Sequence, residues 1–125
     1  MFAHRNDPAD GVGIAFTDRC DGFSSGSLGP LNLGRTDVDD LDALRANLAA
    51  VRAALQLAEV VAVHQVHGVD VLEVDESLLA SWTPDSWLGD AAPGVPALPV
   101  ADALVTRQPG IGLAIRVADC LPVLF

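Results

Sequence analysis

Cysteine and histidine are the residue types here best suited to a reactive or metal-binding centre, and the chain has few of either: Cys20, Cys120, His4, His64 and His67. Cys120 follows Asp119 and precedes Leu121-Pro122, so it stands before an apolar run, Leu121 to Phe125, that reads as a buried strand. As a small apolar side chain Cys120 could fill a core. As a thiolate it could bind a metal or attack a substrate. Asp119 beside it puts a polar group where core packing alone asks for none. His67 is the second candidate. His64 and His67 are three positions apart in a strand-like segment, where i and i+3 point to opposite faces, so at most one joins a given site. Gly68 directly after His67 permits a bulge or a close backbone approach, which favours His67, and His64 keeps the reading of a structural histidine. Thiolate and imidazole together suit zinc, which in a catalytic site takes three protein ligands and an open position. The third would come from His4, His64, Cys20 or a carboxylate. The same pair fits a cysteine nucleophile with a histidine base, and spacing alone leaves both chemistries open.

The elements that must position these residues follow from pattern. Gly11 to Thr17 reads as a short strand, and Asp18 to Gly34, dense in Gly, Ser and Pro, as a long loop of the kind that carries function. A helix is expected over Val38–Leu57: Leu41, Leu44, Leu48, Val51 and Leu55 recur at steps of three and four and make one apolar stripe. Thr36 or Asp37 can cap it, and Asp39, Asp40 and Asp42 suit the positive end of its dipole. Arg45 and Arg52 flank the stripe, and Asn47 sits beside it. Glu59 to Val66 is β-rich, and Val69 to Val74 alternates as a strand with one wet face. Ser77 to Val100, with four prolines plus Trp82 and Trp87, reads as a variable surface loop or as an ordered excursion anchored by its tryptophans. Ala101 to Phe125 gives two strand-like runs around Gln108-Pro109-Gly110 before the Cys120 segment. Because the chain ends inside an apolar run, an incomplete domain is expected. The fold class is α+β, with mixed β-sheets flanked by helices.

Bulk composition narrows the function. At 125 residues and 13.0 kDa the chain fits one domain with a real core. Seven basic against 17 acidic residues give a net charge of −10, which argues against nucleic acid and anionic membrane as partners. A small anionic substrate remains compatible, since one or two arginines can dominate locally. All the basic residues are Arg; without Lys there is no Schiff-base nucleophile, and Gly26 to Gly34 is no lysine-bearing phosphate loop. No run approaches the roughly 20 apolar residues of a membrane span. Met1 to Arg5 is followed by polar residues rather than a signal-peptide core. Two cysteines without a secretion signal read as cytoplasmic thiols.

Several blocks stand in an order that resembles the laccase-like polyphenol oxidase family, now regarded as purine nucleoside phosphorylases. They are Phe16-Thr17-Asp18-Arg19, Gly22, Ser24, Leu31-Asn32-Leu33-Gly34, Asn47, Gln65-Val66-His67-Gly68, Ala101 to Thr106 (ADALVT) and, most specifically, Ala118 to Leu124 (ADCLPVL). Two positions depart from the pattern: Leu48 replaces an Arg, and Asp21-Gly22 replaces a pair of glycines. The resemblance implies that residues 1–125 are the N-terminal portion of a single, longer α+β domain. It implies a zinc held by two histidines and a cysteine, with His67 and Cys120 at the first two ligand positions. The third belongs to a His-Ala-Gly-Trp-Arg-Gly block after the Cys-Leu-Pro strand, which these 125 residues do not include. The implied activity is phosphorolysis of adenosine, inosine and methylthioadenosine, with adenosine deamination beside it. Its small-molecule partners are a purine nucleoside and phosphate. Arg19 and Asn32 are then expected to line the substrate cleft, Arg19 gripping two phosphate oxygens at once. Copper, which the laccase name suggests, suits a single His/Cys set less well than zinc does. Two rival readings are a Cys-His hydrolase or peptidoglycan-precursor editing factor, a role also attached to this family, and a non-catalytic fragment.

Overall fold

The computed structural model describes residues 1–6, 11–34, 37–118 and 120–124. Thr36, Asp119 and Phe125, each named above, lie outside the described residues. The chain divides into two compact units, Met1–Val51 and Arg52–Phe125.

In the first unit β1 (Phe2–Arg5) pairs antiparallel with β2 (Ala15–Thr17), and the register slips between Phe2 and His4. The strand expected from Gly11 is thus confined to its last three residues. A loop with one 3-10 turn, Gly26–Leu28, leads to α1 (Leu41–Leu55). The helix starts three residues later than its apolar pattern suggests, because Asp40 caps it. The Asp40 carboxylate accepts the N–H groups of Asp42 and Ala43 at 3.0 and 3.0 Å, and its carbonyl takes the N–H of Leu44, which satisfies donors the first turn leaves open. Gln56, with φ 56°, turns the chain out of the helix.

Leu44, Leu48 and Val51 are buried as the stripe requires, but Asn47 is buried with them, at 0% exposure. This corrects its placement beside the stripe. Steps of three from Leu44 and four to Val51 put Asn47 on the same face, and hydrogen bonding rather than hydropathy decides that it belongs there.

In the second unit two strand pairs are parallel: β3 (Glu59–Ala62) with β6 (Ile111–Ala114), and β4 (Val71–Val74) with β5 (Ala103–Thr106). Val60, Val61, Ala62, Val63, Val74 and Ala101 are buried, as are Trp87, Leu88 and Ala92 from the segment between β4 and β5. Arg52 holds the start of this unit, donating to the Ala58 carbonyl and pairing with Glu59 at 3.2 Å.

Parallel neighbours cannot be joined by a tight turn and need a crossover of a dozen residues or more. That explains the Pro-rich stretch before Val100. It holds α2 (Glu76–Ser81), capped by Asp75 through the Leu78 N–H at 2.9 Å, and a 3-10 segment, Ser86–Ala91. Trp82 donates its indole N–H to the Val60 carbonyl at 3.2 Å, and Trp87 is 2% exposed. The ordered excursion is therefore the arrangement found, not a variable surface loop.

The buried strand expected over Leu121 to Phe125 is not formed in its described part. Residues 121–124 have no strand pairing, and Leu121, Val123 and Leu124 are 87%, 62% and 56% exposed. An apolar run becomes a strand only where neighbouring backbone meets its N–H and C=O groups, and Pro122 has no N–H to offer. Among the described residues no helix is long and apolar enough to cross a membrane. One long helix with small sheets, antiparallel in one unit and parallel in the other, makes the chain α+β.

Candidate functional site

In parallel sheets ligands gather beyond the carboxyl ends of the strands, and both candidate metal ligands lie downstream of such ends. From β3 the chain continues through His64, whose N–H donates to the Pro99 carbonyl at 2.9 Å and whose own carbonyl accepts the Ala101 N–H at 3.3 Å. His64 thereby makes a backbone bridge to Val100, while its side chain is exposed.

The turn that follows is built around Asp102. Its Oδ1 accepts the N–H groups of Val66 at 3.0 Å and His67 at 2.8 Å, and its Oδ2 accepts that of Gly68 at 2.8 Å. Successive backbone N–H groups aimed at one point form an anion-binding nest, and here the chain supplies its own carboxylate. His67 adopts φ 58°, the left-handed region that a side chain enters only at a cost. The close approach expected at Gly68 is present, since a Cβ there would lie 3.0 Å from Asp102 Oδ2, but the left-handed residue is His67. The exposed imidazole is therefore carried on a backbone fixed by Asp102. A carboxylate just ahead of an apolar strand is the only signal of this role in the sequence, and it does not say which backbone the carboxylate meets.

Cys120 lies beyond β6, is exposed, and is not disulfide-bonded to Cys20, which is exposed as well. Between β6 and Cys120 the Arg116 N–H donates to the Gln65 side-chain oxygen at 3.1 Å, tying this segment to the one that leads into the His67 turn.

Arg19 and Asn32 both belong to the first unit. Arg19 is exposed and donates from Nη2 to the Ser27 carbonyl at 2.8 Å, while its own carbonyl accepts the Leu31 N–H at 3.2 Å. Asn32 is buried. Its amide donates to Asp39 at 2.8 Å and its side-chain oxygen accepts the Gly34 N–H at 3.1 Å. Burial pushes the Asp39 carboxyl up, but hydrogen bonds from Ser24, Asn32 and the Asp40 N–H outweigh it and leave the pKa lowered. The Cys20 N–H, at 2.7 Å, is the main influence that lowers Asp18.

Asn47 ties this loop to α1. It accepts from the Phe23 N–H at 2.7 Å and donates to Ser24 Oγ at 2.8 Å, the Pro30 carbonyl at 3.1 Å and the Asn32 carbonyl at 2.9 Å. A Cβ on Gly22 would run into the Pro30 carbonyl oxygen, so the loop closes there only around glycine. Asp21 takes φ 62° at the position where the resembled pattern carries glycine.

Zinc is tested by the donors at hand. A catalytic site takes three protein ligands, and among the described residues no three His, Cys, Asp or Glu side chains gather in a group that could hold a metal. His67 and Cys120 thus do not fit a complete metal site by themselves; a third ligand would have to come from outside the described residues.

The fold and these blocks define an α+β protein whose candidate site hangs on the loops after parallel strands. Comparison with known proteins gives the family. The profile of the multi-copper polyphenol oxidoreductase laccase family matches residues 13–125, and the chain belongs to that family. It is 42% identical over 127 aligned residues to a purine nucleoside phosphorylase of Streptomyces griseus, covering 99% of this chain and 46% of that protein. A purine nucleoside phosphorylase of Streptomyces coelicolor is 40% identical over 96% of this chain and 44% of its own length. One from Deinococcus radiodurans is 38% identical over 88% and 36%. The chain thus spans less than half the length of these curated relatives. No solved structure matches it.

Proposed function

We propose that the protein is a cytoplasmic, zinc-dependent purine nucleoside phosphorylase, of which residues 1–125 are the N-terminal portion of a single domain. It splits adenosine, inosine and methylthioadenosine and also deaminates adenosine. A phosphate oxygen attacks the anomeric carbon of the ribose, the carbon–nitrogen bond to the purine breaks, and the base leaves with the bonding electrons and takes up a proton. His67 and Cys120 supply two zinc ligands, the third coming from outside the described residues, and Arg19 and Asn32 line the substrate cleft. The observation that carries this reading is 42% identity to a named purine nucleoside phosphorylase across 99% of the chain.

Metal content and phosphate-dependent release of purine are to be measured on the intact protein and on Cys120→Ala. The expected result is stoichiometric zinc and base release in the parent, with both lost in the variant. Full zinc and full turnover in Cys120→Ala would remove Cys120 from the site, and turnover independent of phosphate would refute phosphorolysis.

A further inference from the structure

Cations are few in this acidic chain, and most described arginines have visible partners. Arg45 pairs with Asp42 at 2.9 Å and Arg52 with Glu59 at 3.2 Å. Arg19 donates to the Ser27 carbonyl at 2.8 Å, and Arg5 lies over the Phe2 ring at 5.8 Å. Arg107 and Arg116 are the described arginines without a side-chain partner, and they differ in burial, Arg107 being exposed and Arg116 not. Arg116 is half-buried, and among the described residues its guanidinium has no carboxylate or other acceptor. Burial is the sole influence on its charge and acts to lower its pKa. Guanidinium stays protonated in proteins, so this position keeps a positive charge partly out of water with no anion of the described residues turned toward it. Such an arrangement is costly on its own.

Its place in the fold gives the cost a use. Arg116 stands just past the carboxyl end of β6, whose register beside β3 puts Ala114 opposite Ala62. The Arg116 backbone is held by Gln65 at 3.1 Å, in the segment that continues to His67 and its turn. A half-desolvated, forked cation at the carboxyl edge of a parallel strand pair suits a tetrahedral oxyanion, which guanidinium grips through two hydrogen bonds at once.

We propose that Arg116 is the phosphate anchor of this protein, its guanidinium binding the oxygens of inorganic phosphate beyond the carboxyl ends of β3 and β6. The proposal rests on the phosphorolysis reading for its substrate and assigns the phosphate side of the reaction to the second unit.

The test titrates the intact protein and its Arg116→Gln and Arg116→Lys variants with inorganic phosphate by calorimetry, alongside KM values for phosphate and nucleoside. Removing a charged, two-bond contact should weaken phosphate binding about 10- to 100-fold in Arg116→Gln. The nucleoside KM should stay within about two-fold, because the guanidinium touches only the anion. Arg116→Lys keeps the charge without the fork and should fall between the two, and it carries the comparison if the Gln variant does not fold. Equal phosphate affinity in parent and variants, or no phosphate binding by the parent, overturns the proposal. Phosphate binding that depends on Arg116 without any base release would refute the phosphorolysis reading and leave the anion site standing. Phosphorolysis with a phosphate KM indifferent to Arg116 would do the reverse.

Discussion

Replacing Asp102 should loosen one turn and misplace one imidazole. Three N–H groups converge on its carboxylate at 3.0, 2.8 and 2.8 Å. Bonds to a charged acceptor contribute about 1.5–3 kcal/mol each when buried. These donors are exposed, so water takes over part of the role, and about 0.5–1 kcal/mol apiece is the better scale, roughly 1.5–3 kcal/mol together. The turn also holds His67 at φ 58°, a conformation that costs about 1–2 kcal/mol for a residue with a Cβ. Because loss of the carboxylate also frees His67 from that conformation, the two effects partly cancel, and we predict that Asp102→Ala lowers stability in urea by about 1–2 kcal/mol. It should also greatly speed amide exchange at Val66, His67 and Gly68 while leaving β5 protected. Asp102→Asn makes a sharper test. If the amide keeps its oxygen at the Oδ1 position, it still serves Val66 and His67 but turns an N–H₂ toward Gly68, so Gly68 alone should lose protection. His67→Gly removes the backbone cost and should stabilise the protein by about 1 kcal/mol, while His67→Ala should not. Unchanged exchange at all three amides in Asp102→Ala, with a stability change under about 0.5 kcal/mol, would refute the claim that Asp102 fixes the His67 backbone.

Three other outcomes are expected. Asn47→Ala should destabilise the protein by about 2–4 kcal/mol, because it strands the Phe23 N–H and takes a donor from Ser24 Oγ and from the Pro30 and Asn32 carbonyls around a buried side chain; denaturant melts followed by circular dichroism would read the loss, and a change below about 1 kcal/mol would contradict the network's role. Asp21→Gly relieves the left-handed φ of 62° but gives up the exposed pair with the Met1 amino terminus at 2.7 Å, so the net change should stay within about 1 kcal/mol, and a larger loss on melting would refute this. The carboxyls of Asp18 and Asp39 are held below the ordinary carboxylate range by their hydrogen bonds, so their contribution is fully present above the unfolded pKa and is lost as pH falls through the lower folded values. Acid titration of helix content should therefore show a loss below about pH 4 that Asp39→Asn makes shallower, and an identical titration in that variant would exclude Asp39 as a source.

What the sequence settled by itself is whatever depends on local period and on ordered blocks. The stripe Leu44, Leu48 and Val51 specified α1 because a 3.6-residue turn puts those positions on one buried face. The β-branched run from Glu59 gave β3, and the order of the FTDR, LNLG, QVHG, ADALVT and ADCLPVL blocks pointed to the family that the profile over residues 13–125 then showed. Hydropathy could not place Asn47, whose burial depends on four partners from a loop far away in the chain. Nor could it separate Ser77–Val100 as a crossover from a surface loop, because that depends on β4 and β5 being parallel. The Leu121–Leu124 run shows the same limit from the other side, being apolar enough for a strand yet having no strand neighbour among the described residues. His67 marks the divide most clearly. The sequence nominated the imidazole and noticed the glycine after it, but a carboxylate 35 residues further along the chain sets the backbone that carries it. Periodicity is a property of neighbours in the chain; the bonds that hold an exposed side chain in place are made by residues that only folding brings together.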